Sequence, residues 1–493
     1  MSGRKSIAVF DVGTTAVKSC LFSEQAELLA ISVREYRLDA KGDRVEAQPE
    51  QYWEAMCLGM ADVLNQLPDA QVEAVGLTTQ GETLVPVDAA GQPLRPFLVW
   101  LDSRAGRQAE RLRSEIPAEL FYQTTGLPSI EGSLPLAKLC WLRENEAGVF
   151  ARTEKFLLLE DYLLFRFTGH FITEPSLQTS TGWFRLGTDN FWTDALAAAG
   201  ISPAQLPELQ ECGSRAGFLT EEAAQQLGLP AGLPVFTGAM DQAAAALAAG
   251  SGNGVVTETT GTALVAAAVT RTPVFPREHP VTIYRHAIQG EYVCLPISNT
   301  AGMALRWFRD QFCPDLPAGS AGYAALDGMA AAVPPSCEGL IFLPYLSGCV
   351  DPDACPQARA MFFGATLAHT RAHFARAVLE STAFVLADFL EMLDKMGCPC
   401  RELRSLGGGA SSALWQQIKA DACGRQMTVP ACREATAQGA ALLAGRGSGI
   451  MPSHFVPTAP PVVCYRPDPT TASLYREARE LTHQLYAAVR PLY

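Results

Sequence analysis

The sequence predicts an α/β protein built as two similar halves, and three observations carry that reading. A strand, Ser6–Phe10, runs through Asp11-Val12-Gly13-Thr14-Thr15 into a hairpin partner, Ala16–Phe22. The same unit returns near mid-chain as Val255–Thr260, the turn Gly261-Thr262 and Ala263–Ala268, with Thr259 standing where the first copy has Asp11. Between and after these units, short apolar runs lead into small-residue loops and then into helix-period segments. At 493 residues and 48% hydrophobic, the chain can bury the cores of two or three domains. The repeat divides it into residues 1–247 and 248–493.

Charge and cysteine usage narrow the class. A net charge of -13 argues against a general nucleic-acid binder, while still allowing a phosphate ligand held by loop N–H groups. The 14 cysteines form no paired CxxC units, Cys398-Pro399-Cys400 being the nearest approach, which suits reduced thiols in a cytoplasm. The seven histidines show no metal spacing. The polar start, Met1–Lys5, leads straight into a strand, so no signal peptide is expected. No run of 18 apolar residues occurs, so no membrane span is expected.

Taken in order, the first turn joins Gly13 to the hydroxyls and N–H groups of Thr14 and Thr15, with Lys18 adding charge and Asp11 able to hold hydrated Mg²⁺. An ordinary hairpin with polar turn residues has the same composition. Gln51–Leu67 reads as a helix with Trp53, Met56, Leu58 and Leu64 on or near its apolar face. The strand Val72–Leu77 delivers Thr78-Thr79-Gln80-Gly81-Glu82-Thr83 into a loop, and Pro96–Trp100 ends in Leu101-Asp102-Ser103-Arg104. Amide, carboxylate and indole groups at two strand ends suit the gripping of hydroxyls: Glu82 and Asp102 as acceptors, Trp100 over an apolar sugar face. A surface Asp102–Arg104 pair beside a core Trp is the plainer alternative. Ser133–Asn145 and Asp161–Phe167 read as helices, Lys138 and Trp141 sharing one face.

The strand Leu233–Thr237 leads into Gly238-Ala239-Met240-Asp241-Gln242 and an Ala-rich helix, Ala243–Ala249. A lone carboxylate among small residues at a strand end can approach a substrate closely and act as a base. On its own, Asp241 would more commonly be a helix cap. In the second half, Ser298–Gly302 precedes an amphipathic helix, and His373–Leu393 forms a long apolar one. Leu403–Leu406 delivers Gly407-Gly408-Gly409-Ala410-Ser411-Ser412 ahead of the helix Ala413–Ala422, a placement that permits close backbone approach by a nucleotide. Glu434–Gly445 is a small-residue helix, and Thr471–Val489 a last one.

Together these stretches resemble the FGGY carbohydrate kinases over roughly residues 6–445. Ser133–Asn145 meets the family's first signature throughout, including Pro135, Lys138, Trp141, Glu144 and Asn145. Ala360–Gly364, His373-Phe374 and Ala377–Glu380 meet the second, with Ala365 replacing a larger aliphatic residue. Leu343–Gly348 and Gly407–Trp415 look most like the xylulokinase branch. The resemblance implies a duplicated actin–hexokinase-like (ribonuclease-H-like) fold with a central ATP/sugar cleft, closing on sugar. It implies ATP and Mg²⁺, with Asp11 and Asp241 at the metal. Thr14, Thr15, Lys18, Gly261 and Thr262 would meet phosphates, and Gly408, Gly409 and Ala410 adenosine. Asp241 would be the catalytic base. Gln80, Gly81, Glu82, Trp100, Asp102, Asp241 and Gln242 would meet a small sugar or polyol. No nucleic-acid or membrane partner is implied, and a homodimer is allowed.

Substrate choice divides the branches. Xylulokinases usually carry Met-His at Gly81-Glu82, whereas Glu82-Thr83 is glycerol-kinase-like. Gly81 and Ser133 stand where glycerol kinases have Arg and Tyr, which predicts an enlarged pocket and a ketopentose such as xylulose. Glycerol, erythritol, another polyol or an aldonate is the alternative substrate. A non-catalytic sugar-sensing relative and a nucleotide-driven chaperone or filament are the other classes. Retention of Asp11, Lys18, Thr262 and Asp241 argues against the former, and the Gln80–Glu82 and Trp100–Arg104 inventory against the latter.

Overall fold

Two sheets with the same plan organise the chain. The computed structural model describes residues 4–252, 254–351, 354–431, 434–456 and 463–493. In the first half, β1 (Arg4–Val12), β2 (Ala16–Ser23) and β3 (Leu28–Glu35) are followed by helix α1 (Pro49–Gln66) and β4 (Ala70–Thr79). Then come α2 (Pro135–Asn145), α3 (Leu159–Thr168), β5 (Arg215–Phe218), β6 (Pro234–Phe236) and α4 (Asp241–Ala248). β1 pairs antiparallel with β2 and parallel with β4, placing Asp11 opposite Lys18 on one side and Thr78 on the other. β4 pairs parallel with β6, and β6 antiparallel with β5, giving the order β5-β6-β4-β1-β2-β3. The α1 face is carried by Tyr52, Trp53, Met56, Met60 and Val63, all buried; Leu58, expected near that face, is 57% exposed.

The second half holds β7 (Val255–Thr260), β8 (Leu264–Thr270), β9 (Ile297–Ser298), α5 (Gly302–Phe312), α6 (Ser320–Ala331), α7 (Arg371–Lys395), β10 (Glu402–Leu406), α8 (Ala413–Cys423) and β11 (Gln426–Val429). After them come α9 (Ala435–Ser448), β12 (Val463–Tyr465) and α10 (Ala472–Val489). β7 pairs antiparallel with β8 and parallel with β10; β10 is parallel to β11, β11 antiparallel to β12, and β8 antiparallel to β9. Six of the eight strands of this sheet repeat the order and directions of the first sheet, so the duplication read from two Gly-Thr turns extends to six strands. The expected α/β class is what the chain adopts.

Residues 1–250, 282–293 and 434–458 form one compact unit, and residues 251–281, 294–433 and 459–493 the other. Two later segments, residues 282–293 and 434–458, thus return to the unit that holds residues 1–250. Small residues make the second return possible. A Cβ on Gly439 of α9 would lie 2.1 Å from the Ala244 carbonyl oxygen, and one on Gly76 of β4 would lie 2.9 Å from the Ala444 Cβ. With only hydrogen at those positions, α9 lies directly on α4 and β4. Among the described residues no helix is long and apolar enough to cross a membrane, and no three His, Cys, Asp or Glu side chains gather as a metal site.

Candidate active site

Asp241 is hung on a loop whose backbone is fully specified. The Gly238 N–H donates to Glu160 Oε1 (2.8 Å), the Ala239 carbonyl accepts from Thr78 Oγ1 (2.7 Å), and the Met240 N–H donates to Ser176 Oγ (3.0 Å). Ser176 is itself oriented by donating to Glu174 Oε1 at 2.9 Å. Glu160, Glu174 and Ser176 are completely buried. Burial, reinforced by the charge of Glu174, pushes the Glu160 carboxyl well above the usual range, so this pair favours holding a proton. None of these supports was legible in sequence, since they come from α3 and the segment after it. Ser176→Ala leaves the Met240 N–H buried without an acceptor and is expected to cost about 1–3 kcal/mol in thermal unfolding.

The cap position of α4 belongs to Met240, and Asp241 is the first helical residue. Its carboxylate accepts from the adjacent Gln242, whose backbone N–H lies 2.6 Å from Oδ1 and whose side chain also donates. Burial and then the charge of Asp11 push it up to about 7. Asp11 is itself raised to about 6, because burial outweighs the neighbouring Lys18 ammonium. Lys18 Nζ lies 3.7 Å from Asp11 Oδ2 and 2.5 Å from Glu434 Oε2. Expected to meet phosphates, Lys18 is thus paired with a carboxylate from the far end of the sequence, a partner the local motif could not reveal. The Gly13 N–H closes its own turn onto the Ala16 carbonyl (3.1 Å), so Thr14 and Thr15 supply the turn's remaining donors.

Trp100 donates its indole N–H to Thr14 Oγ1 at 2.9 Å and is 39% exposed, linking the expected sugar loop to the expected phosphate turn. Glu82 adopts a left-handed backbone, φ 60°, and burial raises its carboxyl to about 7 against the pull of Lys138, with Asp241 adding to the rise. The buried Lys138 donates to the carbonyls of Glu82 (3.1 Å) and Val99 (2.9 Å), rather than packing with Trp141. Burial lowers its ammonium to about 8 despite Glu82 and Asp102. Tyr284 joins this group: burial and the charges of Glu82 and Asp241 hold its hydroxyl well above the ordinary range. Its strand, Thr282–Arg285, lies in the first returning segment, which hid it from motif reading.

Three expectations at the sugar end need correction. Asp102 has no exposed surface: Oδ1 accepts from Arg104 Nε (2.9 Å), and Oδ2 from Arg104 Nη2 (2.6 Å) and the Val45 N–H (2.7 Å). It is a buried pair, with no oxygen left for a substrate. Gln80 is 3% exposed and turns its amide toward the Tyr52 hydroxyl at 3.4 Å. Gly81 opens no space, because a Cβ there would already lie 3.0 Å from both Met240 Sδ and Ser180 Oγ.

The second unit contains a cavity of about 580 Å³ lined by the turn Thr260–Thr262, Gly408, Gly409, Ser412 and one face of α6. Gly261 closes its turn onto the Ala263 carbonyl (3.0 Å), as Gly13 does. Beneath it, the fully buried Lys419 lies 2.9 Å from Glu258 and donates to Thr260 Oγ1 at 2.7 Å. A Cβ on Gly409 would lie 2.7 Å from the Thr260 Cβ, so the Gly-rich loop must stay bare to pass. Ala410, expected at adenosine, is absent from the wall; Ser411 and Ser412 are there.

Residues 6–248 match the N-terminal domain, and residues 253–448 the C-terminal domain, of the FGGY family of carbohydrate kinases. The chain belongs to that family. This kinase is 31% identical over 489 residues to a xylulose kinase of Escherichia coli K12, covering 98% of this chain and 99% of the relative. It is 27% identical to a gluconokinase of Bacillus subtilis, covering 90% of this chain and 88% of that one. A crystal structure of xylulose kinase from Rhodospirillum rubrum superposes with a TM-score of 0.89 at 28% identity, covering 99% of both chains. The two-domain actin–hexokinase-like plan expected from sequence is shared with that structure.

Proposed function

We propose that the kinase transfers the γ-phosphoryl group of ATP to a primary hydroxyl of an uncharged ketopentose of the xylulose type, with Asp241 as base. The observation that carries this reading is the Asp241 carboxyl, fixed on its loop and poised to about 7 beside Glu82 and Tyr284. A base of that strength is ionised in about half of the molecules at neutral pH, and is strong enough to take a hydroxyl proton as the oxygen attacks. Glu82, Tyr284 and Gln242 orient the remaining hydroxyls, and Trp100 offers an exposed ring face. Thr14 and Thr15, and Thr262 in the second unit, provide donors for phosphate oxygens.

Two hard carboxylates that destabilise each other's charge, Asp11 and Asp241, suit Mg²⁺, which favours a few carboxylate ligands plus water and phosphate. Bound there, it would supply charge neutralisation for the transferring group.

Xylulose and gluconate kinases both stand among the relatives. The charge inventory favours the neutral sugar. Near Asp241, Lys18 is held by Glu434, Lys138 by two carbonyls, and Arg104 by Asp102 and Glu46. An aldonate carboxylate would meet Glu82 and Asp241 with no uncommitted cation among these. ADP release measured over ketopentoses, polyols and aldonates tests the reading. Xylulose-type ketoses are expected to stimulate release well above basal hydrolysis and gluconate to leave it unchanged. Failure of every neutral sugar would overturn the proposal.

A further inference from the structure

The cavity of the second unit has a direction. At one end the N–H groups of Gly302 and Met303, at the start of α5, donate to the carbonyls of Gly261 (3.0 Å) and Thr262 (3.1 Å), so helix start and turn touch. Arg306 lies one helical turn further along α5, on the cavity wall, exposed and without an ion-pair partner among the described residues. Arg306 therefore places a positive charge beside the Gly261-Thr262 turn at this end, which suits phosphates.

The other wall is different. Ser320, Tyr323, Ala324 and Asp327 all line the cavity, and their spacing makes them a single stripe on α6. Asp327 and Ser412 both line the cavity: partial burial raises the Asp327 carboxyl, and a hydrogen bond from the Ser412 hydroxyl draws it partly back. Ser412 also fixes the start of α8 by accepting the Trp415 N–H at 3.1 Å, so the serine cannot swing away freely. Between the two ends, Gly409 passes against Thr260, and the buried Gln416 holds the Gly409 carbonyl at 3.0 Å. The glycine loop thus runs from Gly409, set against Thr260 of the turn, to Ser412, which meets Asp327.

Among the described residues that line the cavity, Arg306 on α5 and Asp327 on α6 are the two charged side chains. A carboxylate repels phosphate and seeks a hydrogen-bond donor. An adenosine nucleotide brings two kinds of donor, the ribose hydroxyls and the exocyclic 6-amine, and the amine is the one farther from the phosphates. Hypoxanthine and guanine place a carbonyl there, which would leave two acceptors facing each other in a partly dehydrated site. We propose that Asp327, steadied by Ser412, reads the 6-amine of the base and makes the cavity selective for adenine over 6-oxopurine nucleotides.

The inference rests on the nucleotide-dependent reading above, and equilibrium binding separates the two, because it needs no turnover. Calorimetric titration of the whole protein with ATP and with ITP, which differ at the 6-position, gives the ratio directly. Wild type is expected to bind ATP about tenfold or more tightly than ITP. Asp327→Asn, whose amide can turn its N–H toward a carbonyl, is expected to bring the two within about threefold, mainly by improving ITP binding. Asp327→Leu should weaken ATP without improving ITP. An equal affinity of wild type for both nucleotides, or an Asp327→Asn ratio matching wild type, would overturn the proposal. Loss of sugar-stimulated ADP release with the ATP preference intact would instead count against the sugar-kinase reading alone.

Discussion

Asp241→Asn is expected to lower kcat by about 10²–10⁴-fold while leaving the KM of both substrates near wild type. The amide keeps the shape of the side chain and its contact with Gln242 but cannot take a proton. The same substitution has an opposite effect on stability, with a size set by pH. The native carboxyl is raised to about 7, above its ordinary 3.8. Its contribution is therefore fully present below the unfolded value and is lost as pH rises through 7. Removing the charge should raise Tm more at pH 8 than at pH 5 in metal-free buffer. Scanning calorimetry at both pH values, with stopped-time ADP assays, checks the pair of effects. A variant with wild-type turnover would remove Asp241 from the role of base. For the unmodified kinase, the acid limb of kcat/KM for the sugar should fall as pH drops below about 7.

Gly238→Ala is expected to be the most damaging single-methyl change in the first unit. Its Cβ would stand 1.7 Å from the Leu77 carbonyl oxygen, a backbone atom inside the parallel β4–β6 region. Relief requires moving a strand or the loop, and the loop is tied through Gly238 itself to Glu160. A cost of roughly 3 kcal/mol or more is expected. Protein that still folds should show a kcat loss exceeding any change in KM, since the displaced loop carries Asp241. Urea unfolding and steady-state kinetics on the same preparation separate the two losses. Wild-type stability with an alanine at 238 would contradict this geometry.

How much of this could be read from sequence depended on how local the determinant was. The two Gly-Thr turns, the helix Pro135–Asn145 and the small-residue approach to Asp241 are local patterns, so their types were legible, with helix ends shifted by a few residues. The FGGY resemblance rested on the same stretches, and the family match agrees with it. Side-chain direction was not legible. The Asp102–Arg104 pair was legible as the plainer alternative to a ligand, but not that the pair is buried or that Asp102 also takes the Val45 N–H. Gly81 looked like an opened pocket because the sulfur of Met240, filling that side, comes from a distant loop. Tyr284 and Glu434 were invisible for another reason: each lies in a segment that crosses back to the first unit, and local periodicity does not record such crossings.

That crossing has a consequence for synthesis on the ribosome. The helix Ala435–Ser448 covers β1, β4 and the Asp241 helix, yet it is translated long after all three. At typical elongation rates the surface awaiting it stays bare for tens of seconds. During that interval the nascent N-terminal half presents apolar strands and a Lys18 that lacks Glu434, which makes it a natural client for chaperones. A fragment ending before residue 434 should therefore aggregate, and supplying residues 434–458 in trans should improve its recovery in soluble form.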